Sequence, residues 1–272
     1  MPDTASTLLP IVALLFAGMA AGFAGGLFGI GGGFVVVPAL MMILPLLGGD
    51  AEQMTHVAVG TSLATIIFTS VRSVRSHAQR DAVDFAMLRS WAPWVVVGTG
   101  FGGLVANQLG GPTLAVIFGV GVMLFAVHFL VPALHNRQML AAMPQGASRV
   151  GLASGLGLLS ALLGIGGGTI ATVVMTMCGT PIHRAIGTAS GMGVIIAVPG
   201  TLAFMAIGLG QPGLPWGSVG FVNLPAALGI VVTSVICAPY GVAAAHRLSP
   251  ALLRRVFGIY LVVVGVTMIV NR

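Results

Sequence analysis

The chain has 272 residues, 57% of them hydrophobic and only 6% charged, with a formal net charge of +6 and a mean hydropathy of +1.08. A soluble domain carries about 25% charged residues, so too few are present to clothe a globular surface in water, and apolar stretches of about 18 residues or more mark membrane spans. The positive balance does not point to nucleic acid: there is no Lys, and the Arg residues stand singly or in pairs between apolar segments, where positive charge orients a membrane protein.

The first apolar segment, residues 8–47, contains the run Leu27-Phe28-Gly29-Ile30-Gly31-Gly32-Gly33. Consecutive Gly is poor helix material, so a helix is expected to break at residues 29–33. The segment lacks the positively charged start of a signal peptide, Asp3 being the only charge before Asp50, and is read as part of the working protein. Three spans follow at residues 55–71, 91–109 and 113–131. Beyond 132–149 the pattern restarts with a Gly-broken segment at 150–178, which holds Leu162-Leu163-Gly164-Ile165-Gly166-Gly167-Gly168. Spans at 185–209, 220–240 and 252–270 complete it. Cys178 and Cys237 lie in apolar stretches and read as packing thiols. Trp91, Trp94 and Trp216, near span ends, fit an aromatic belt.

The restart is a repeat. The Gly runs lie 135 residues apart (162 against 27). His56-Val57-Ala58-Val59-Gly60-Thr61-Ser62 returns 127 residues on (183 against 56) as His183-Arg184-Ala185-Ile186-Gly187-Thr188-Ala189, and residues 109–118 match 248–257 more weakly at 139. Three collinear matches imply duplication, with a first repeat at 1–131, a cytoplasmic linker at 132–149 and a second repeat at 150–272. The fold class expected is an all-α integral membrane protein of two repeats, each a Gly-broken re-entrant helical hairpin plus three transmembrane helices.

Arg in short loops sets the orientation. Arg72, Arg75, Arg80 and Arg89 put loop 72–90 in the cytoplasm, as do Arg137 and Arg149 for 132–149 and Arg247, Arg254 and Arg255 for 241–255. Loops 48–54 and 210–219 lack Arg and read as external. The span at 55–71 then runs inward and its partner at 185–209 outward, so the repeats are inverted and both termini external. About 14 residues precede the second Gly tip, and at 1.5 Å each they reach roughly 21 Å into a ~30 Å core. That segment is expected to be re-entrant.

Non-helical backbone at membrane depth persists only where protein or a water-filled cavity surrounds it. Inverted repeats whose broken helices meet near the midplane are a transporter plan, and helix N-termini there offer N–H groups and partial positive charge to an anion. The candidate binding residues are therefore Gly29, Gly31, Gly32 and Gly33 with Gly164, Gly166, Gly167 and Gly168, whereas Gly18, Gly22 and Gly25 are spaced for close helix packing. Thr61, Ser62 and Thr188 either cap their helices or bond substrate oxygens. His56 and His183 hold matched positions suited to binding or gating, and Arg184 either marks the cytoplasmic side or draws anions inward. All five carboxylates, Asp3, Asp50, Glu52, Asp81 and Asp84, fall outside the spans, which argues against a carboxylate relay or cation site. No paired acids, zinc-ligand set or Ser/His/Asp arrangement suggests an enzyme, and no cofactor is implied.

The duplicated Gly-rich hairpins, together with Ala58-Val59-Gly60-Thr61-Ser62-Leu63 and Ala185-Ile186-Gly187-Thr188, resemble the TauE/SafE family of sulfite and organosulfonate exporters over residues 8 to 270. The resemblance implies a multi-pass permease of the bacterial inner membrane that moves sulfite, sulfoacetate, thiosulfate or a related oxyanion, usually outward, with a homodimer as a further expectation. Ala189 stands where the first repeat has Ser62, with Ser190 beside it as a substitute hydroxyl. The partners expected are a small anionic substrate and the lipid bilayer. A passive anion channel, an intramembrane enzyme and a non-transporting sensor are the alternatives.

Overall fold

The computed structural model describes residues 4–131 and 143–270. Ten α-helices lie among them: α1 (Thr4–Phe28), α2 (Gly33–Ile43, continued by a 3-10 turn at Leu44–Leu47), α3 (Ala51–Ala78), α4 (Phe85–Ala106), α5 (Gly111–Leu130), α6 (Gly146–Leu162), α7 (Gly168–Met177), α8 (Ile182–Ile207), α9 (Leu224–Arg247) and α10 (Pro250–Val270). A two-residue antiparallel ribbon pairs Ser218–Val219 with Val222–Asn223. Five helices, α1 from Leu8 together with α3, α5, α8 and α9, are long and apolar enough to cross a bilayer. The protein is a multi-pass helical membrane protein.

The breaks fall where the glycines dictate. Gly29, Gly31 and Gly32 in the first hairpin, and Gly164 and Gly167 in the second, adopt left-handed backbone, with φ between 59° and 87°. A side chain there would be strained. Elsewhere polar residues start the helices. The Asp84 carboxylate accepts from the N–H of Met87 at 2.9 Å to cap α4, and the Asn223 side-chain oxygen accepts from Ala226 at 3.0 Å to cap α9. Each cap stabilises its helix by about 1 kcal/mol.

The helix ends differ from the expected spans in a consistent way. α3 starts before residue 55 and runs past 71, so Glu52 sits exposed in its first turn and Arg72 and Arg75 lie on its last turns. Arg89 likewise sits on α4, leaving Arg80 in the connection between the two helices. Arg is a good helix former with a long stem that carries its charge to the interface, so a charge need not end a helix. α1, at 25 residues, reaches about 37 Å, whereas the 17 residues of α6 reach about 25 Å. Most of the linker expected at 132–149, Arg137 included, lies outside the described residues.

Helix packing rests on the absence of side chains. The most extensive contacts are α1 with α9, α4 with α6, α3 with α8 and α5 with α10, followed by α4 with α8 and α3 with α9. Gly18, Gly22 and Gly26 bring α1 against the α9 backbone at Ile230, Ser234 and Ala238, so that a Cβ on any of them would collide with it. Gly98 and Gly157 do the same between α4 and α6. In lipid, where burial of apolar surface does not drive helices together, such close approach supplies much of the attraction. Phe28, Phe129 and Phe34 gather on Phe257 of α10 at ring-centroid distances of 4.2, 4.8 and 6.4 Å, joining α1, α2, α5 and α10.

Trp91 departs from the aromatic-belt expectation. It is 2% exposed and among the largest buried side chains, because its position on α4 faces the protein rather than the lipid. Trp94 and Trp216 stay exposed, and Cys178 and Cys237 are free thiols.

Two glycines two residues apart on α6 provide a test. A Cβ at Gly157 would meet the Val95 carbonyl and Thr99 N at 2.8 Å, while one at Gly155 meets nothing within 4 Å. Gly157→Ala should cost about 1–3 kcal/mol through overpacking, and Gly155→Ala should be neutral or stabilise by up to about 1 kcal/mol. Thermal unfolding of both variants in one detergent decides the matter, and equal behaviour would refute this packing.

Candidate functional site

The two Gly tips touch. A Cβ on Gly33 would stand 2.6 Å from the Gly164 carbonyl oxygen, and one on Gly168 would collide with the Gly29 carbonyl. Each tip also reaches the partner hairpin's next helix: Gly29 lies against Ile186 on α8, and Gly164 against Val59 on α3. Gly32 and Gly167 cap α2 and α7 in left-handed conformation without any side-chain bond. Among the described residues, the N–H groups of Gly31, Gly32 and Gly33, and of Gly166, Gly167 and Gly168, meet no acceptor, although all six residues are buried. Buried amides in proteins are nearly always paired.

Unpartnered hydroxyls gather at the same place. The Ser70 hydroxyl is fully buried without a hydrogen-bond partner and stands 2.8 Å from where a Gly31 Cβ would sit, with Gly193 of α8 on its other side. The second hairpin contributes the unpartnered hydroxyls of Ser160, Thr169 and Thr172. Ser62, by contrast, donates to the Gly164 carbonyl at 2.9 Å and ties α3 to the second tip.

Ser70 belongs to a polar stripe down α3. Thr65 donates to the Ser62 carbonyl, Thr69 pairs with Ser234 of α9 at 2.9 Å, and Ser73 pairs with Ser190 of α8 at 3.0 Å. The stripe ends in His77. Thr65, Thr69, Ser70, Ser73, Ser76 and His77 are not among the sequence-derived candidates, yet their three- and four-residue spacing on an apolar helix is a visible signal.

The remaining candidates do not converge on the tips. Near one end of α3, the Thr61 hydroxyl accepts from the Asn223 N–H at 2.8 Å, and His56 Nε2 donates to the Ala106 carbonyl at 3.1 Å. The His56 ring stacks on Phe221 at 4.9 Å and lines a cavity of about 130 Å³ with Glu52, Gln53, Asn107 and Gln211. Beyond the other end, the Thr188 hydroxyl accepts from the Asp84 N–H at 2.8 Å, and His183 Nε2 donates to the Ala245 carbonyl at 3.1 Å. Arg184 pairs with Asp84 at 3.1 Å and is more than half exposed. Thr61, Thr188, His56 and His183 thus tie helix starts to neighbouring elements, two at each end.

These features can be set beside known proteins. A model of the family described as "Sulfite exporter TauE/SafE" matches residues 14–268. A probable membrane transporter protein of Haemophilus influenzae is 32% identical over 258 residues, covering 95% of this chain and 97% of its own length. One from Methanocaldococcus jannaschii is 27% identical over 96% of each chain, and one from Bacillus subtilis is 26% identical over 74% of this chain and 80% of its own. No solved structure matches. The chain belongs to the TauE/SafE sulfite exporter family.

The Thr bonds make a separable prediction. Thr61→Val or Thr188→Val leaves a backbone N–H without its acceptor and should lower stability by about 1–3 kcal/mol. Any anion-dependent rise in melting temperature should persist in both. Loss of that rise without loss of stability would assign these hydroxyls to the ligand instead.

Proposed function

We propose that this member of the TauE/SafE family is a secondary transporter that moves a small sulfur oxyanion, sulfite or an organosulfonate, outward through a site between the two Gly tips. The observation that carries this reading is the concentration of buried donors without acceptors: six tip amides and the Ser70 hydroxyl. Two helix N-termini, those of α2 and α7, open from the same place and add partial positive charge. Donors with nothing to donate to suit a ligand made of acceptor oxygens. Among the described residues the carboxylates, Asp50, Glu52, Asp81 and Asp84, all lie away from the tips, which suits an anion better than a cation.

Alternating access follows from an inverted repeat, which the contact pattern supports. α1 packs on α9 as α6 packs on α4, and α3 on α9 as α8 on α4, while α3 with α8 and α5 with α10 pair across the centre. The bonds obey the same relation. Thr61 and Thr188 differ by 127 residues and their partners Asn223 and Asp84 by 139, as do the His56 and His183 partners Ala106 and Ala245. Rocking one repeat against the other would expose the tips to either side in turn. Arg80, Arg89, Arg184 and Arg247 mark the cytoplasmic end, which makes both termini external in a bacterial inner membrane.

Thermal unfolding of the detergent-purified protein against sulfite, sulfoacetate, thiosulfate, taurine, sulfate, phosphate and acetate tests the reading. A bound anion at a hundredfold excess over Kd should raise stability by about 2.7 kcal/mol, with the rise confined to sulfur oxyanions. Ser70→Ala should weaken binding at least about tenfold, since a hydrogen bond to a charged group contributes about 1.5–3 kcal/mol. Gly166→Leu should abolish binding and transport while leaving membrane insertion intact, because even a Cβ there would stand 2.9 Å from Ile66 and 3.0 Å from Gly193. Unchanged affinity in both variants would sink the site, and flux without counterflow in vesicles would favour a channel.

A further inference from the structure

The polar stripe of α3 ends in a cluster of three imidazoles that the proposed anion site does not use. His77 is fully buried. Its Nε2 lies 3.1 Å from the Gly26 carbonyl of α1, and its Nδ1 lies 3.2 Å from Nε2 of His246 on α9. On its other side the His246 ring stacks with His183 of α8 at a centroid distance of 5.5 Å.

The partners assign the hydrogens. A carbonyl oxygen only accepts, so His77 carries its hydrogen on Nε2, and His183 does the same towards Ala245. Neutral His77 then has a bare Nδ1, which accepts from His246 Nε2–H, leaving His246 Nδ1 and His183 Nδ1 as the free basic nitrogens. One proton added to His246 at Nδ1 breaks none of these bonds and turns the His246–His77 contact into a charge-assisted one. A second proton, on His77 Nδ1, would set two N–H groups face to face. The cluster is therefore built to take one proton.

The groups facing it decide what accompanies that proton. α1 presents only the Gly26 carbonyl, and no residue of α1 titrates. α8 presents His183, α9 presents His246, and the α3–α4 connection presents Arg80, whose guanidinium donates to the Ser76 carbonyl. Of the acids on that connection, Asp81 is exposed and Asp84 is already paired with Arg184. An added proton thus meets positive neighbours, and an arriving anion offsets the charge.

We propose that His77, His183 and His246 form a proton-binding site at the arginine-marked end of the transport path, and that proton uptake there is coupled to oxyanion binding at the Gly tips. This rests on the anion-transport reading above. The opposite end of the molecule shows why the feature is specific. A Cβ on Gly60 would meet the Phe221 carbonyl and, at 3.0 Å, Cβ of Phe204, just as one on Gly187 meets the Ala82 carbonyl and, at 3.2 Å, Cβ of His77. Phe204 and Asn107 hold at that end the places of His77 and His246, leaving His56 alone there, so only one end carries the three-imidazole cluster.

Calorimetry of thiosulfate binding in two buffers of different ionisation enthalpy gives the number of protons taken up per anion. Thiosulfate keeps its charge over this range, whereas sulfite does not. Near neutral pH the wild type should take up a substantial fraction of one proton, and affinity should fall by up to about tenfold per pH unit above the cluster's titration point. His246→Asn and His77→Phe, which install the residues of the opposite end, should bring uptake to zero and flatten the profile. Binding without uptake, or uptake unchanged in both variants, overturns the proposal. If thiosulfate and the other oxyanions fail to bind, the transport reading fails by itself, and nitrogen-15 histidine spectra in lipid then decide. A protonated imidazole that appears between pH 8 and 5 and vanishes in His246→Asn sustains the proton site. Three imidazoles neutral at pH 5 remove it.

Discussion

Backbone that leaves the helix inside a bilayer has to be sheltered, and the contact between the two Gly tips is how this protein shelters it. Gly33 lies against Gly164 and Gly168 against Gly29, at distances that no side chain would allow. Each tip is the other's wall. Left-handed backbone at Gly32 and Gly167 turns the chain within a few residues, so α2 and α7 begin where α1 and α6 have just ended. The amides at those starts lie near the buried Ser70 and Ser160 hydroxyls, and this concentration of donors follows from the break itself.

The rest of the fold serves this contact. Hairpins can bring their tips together only if their arms are held at fixed depth, and the glycine faces of α1 on α9 and α4 on α6 hold them. Those same interfaces are what a rocking motion would carry as rigid units, because helices packed backbone to backbone cannot slide without collision. α3 and α8 cross between the hairpins and carry most of the buried polar groups. Their hydroxyls lie in an apolar helix at little cost, since Thr65 and Thr69 return a bond to carbonyls of their own helix. Ser70 makes no such bond, which marks it off from its neighbours on the stripe.

The hairpin breaks, the helical membrane architecture and the family were legible in the sequence, because composition and consecutive Gly act on the backbone directly. Matched residues were legible as pairs but not by role. Thr61 and Thr188 stood out through duplication, yet their partners Asn223 and Asp84 sit 162 and 104 residues away, and no local pattern links them. His77 and His246 were passed over for a related reason: each is a lone His at the end of an apolar run, and their meeting spans 169 residues. Trp91 was misread because span position says how deep a residue lies but not whether it faces protein or lipid. Helix ends were misjudged wherever Arg was taken as a stop.

On the inverted-repeat reading proposed above, the scaffold has no preferred direction of its own, since exchanging the halves would exchange inside and outside. Direction must come from residues that break the match. Near the tips these are Ser62 against Ala189, and Ser70 against Ala197. At the ends they are His77 and His246 against Phe204 and Asn107, with Arg184 against Val57. Every one of these differences except the first pair changes hydrogen-bonding or charge within reach of the stripe on α3 or its mouth. The Ser62–Gly164 bond does something else: it latches one tip to α3, and Ala189 on α8 has no hydroxyl to do the same for Gly29. The first tip is therefore held by packing alone where the second is held by packing and a hydrogen bond.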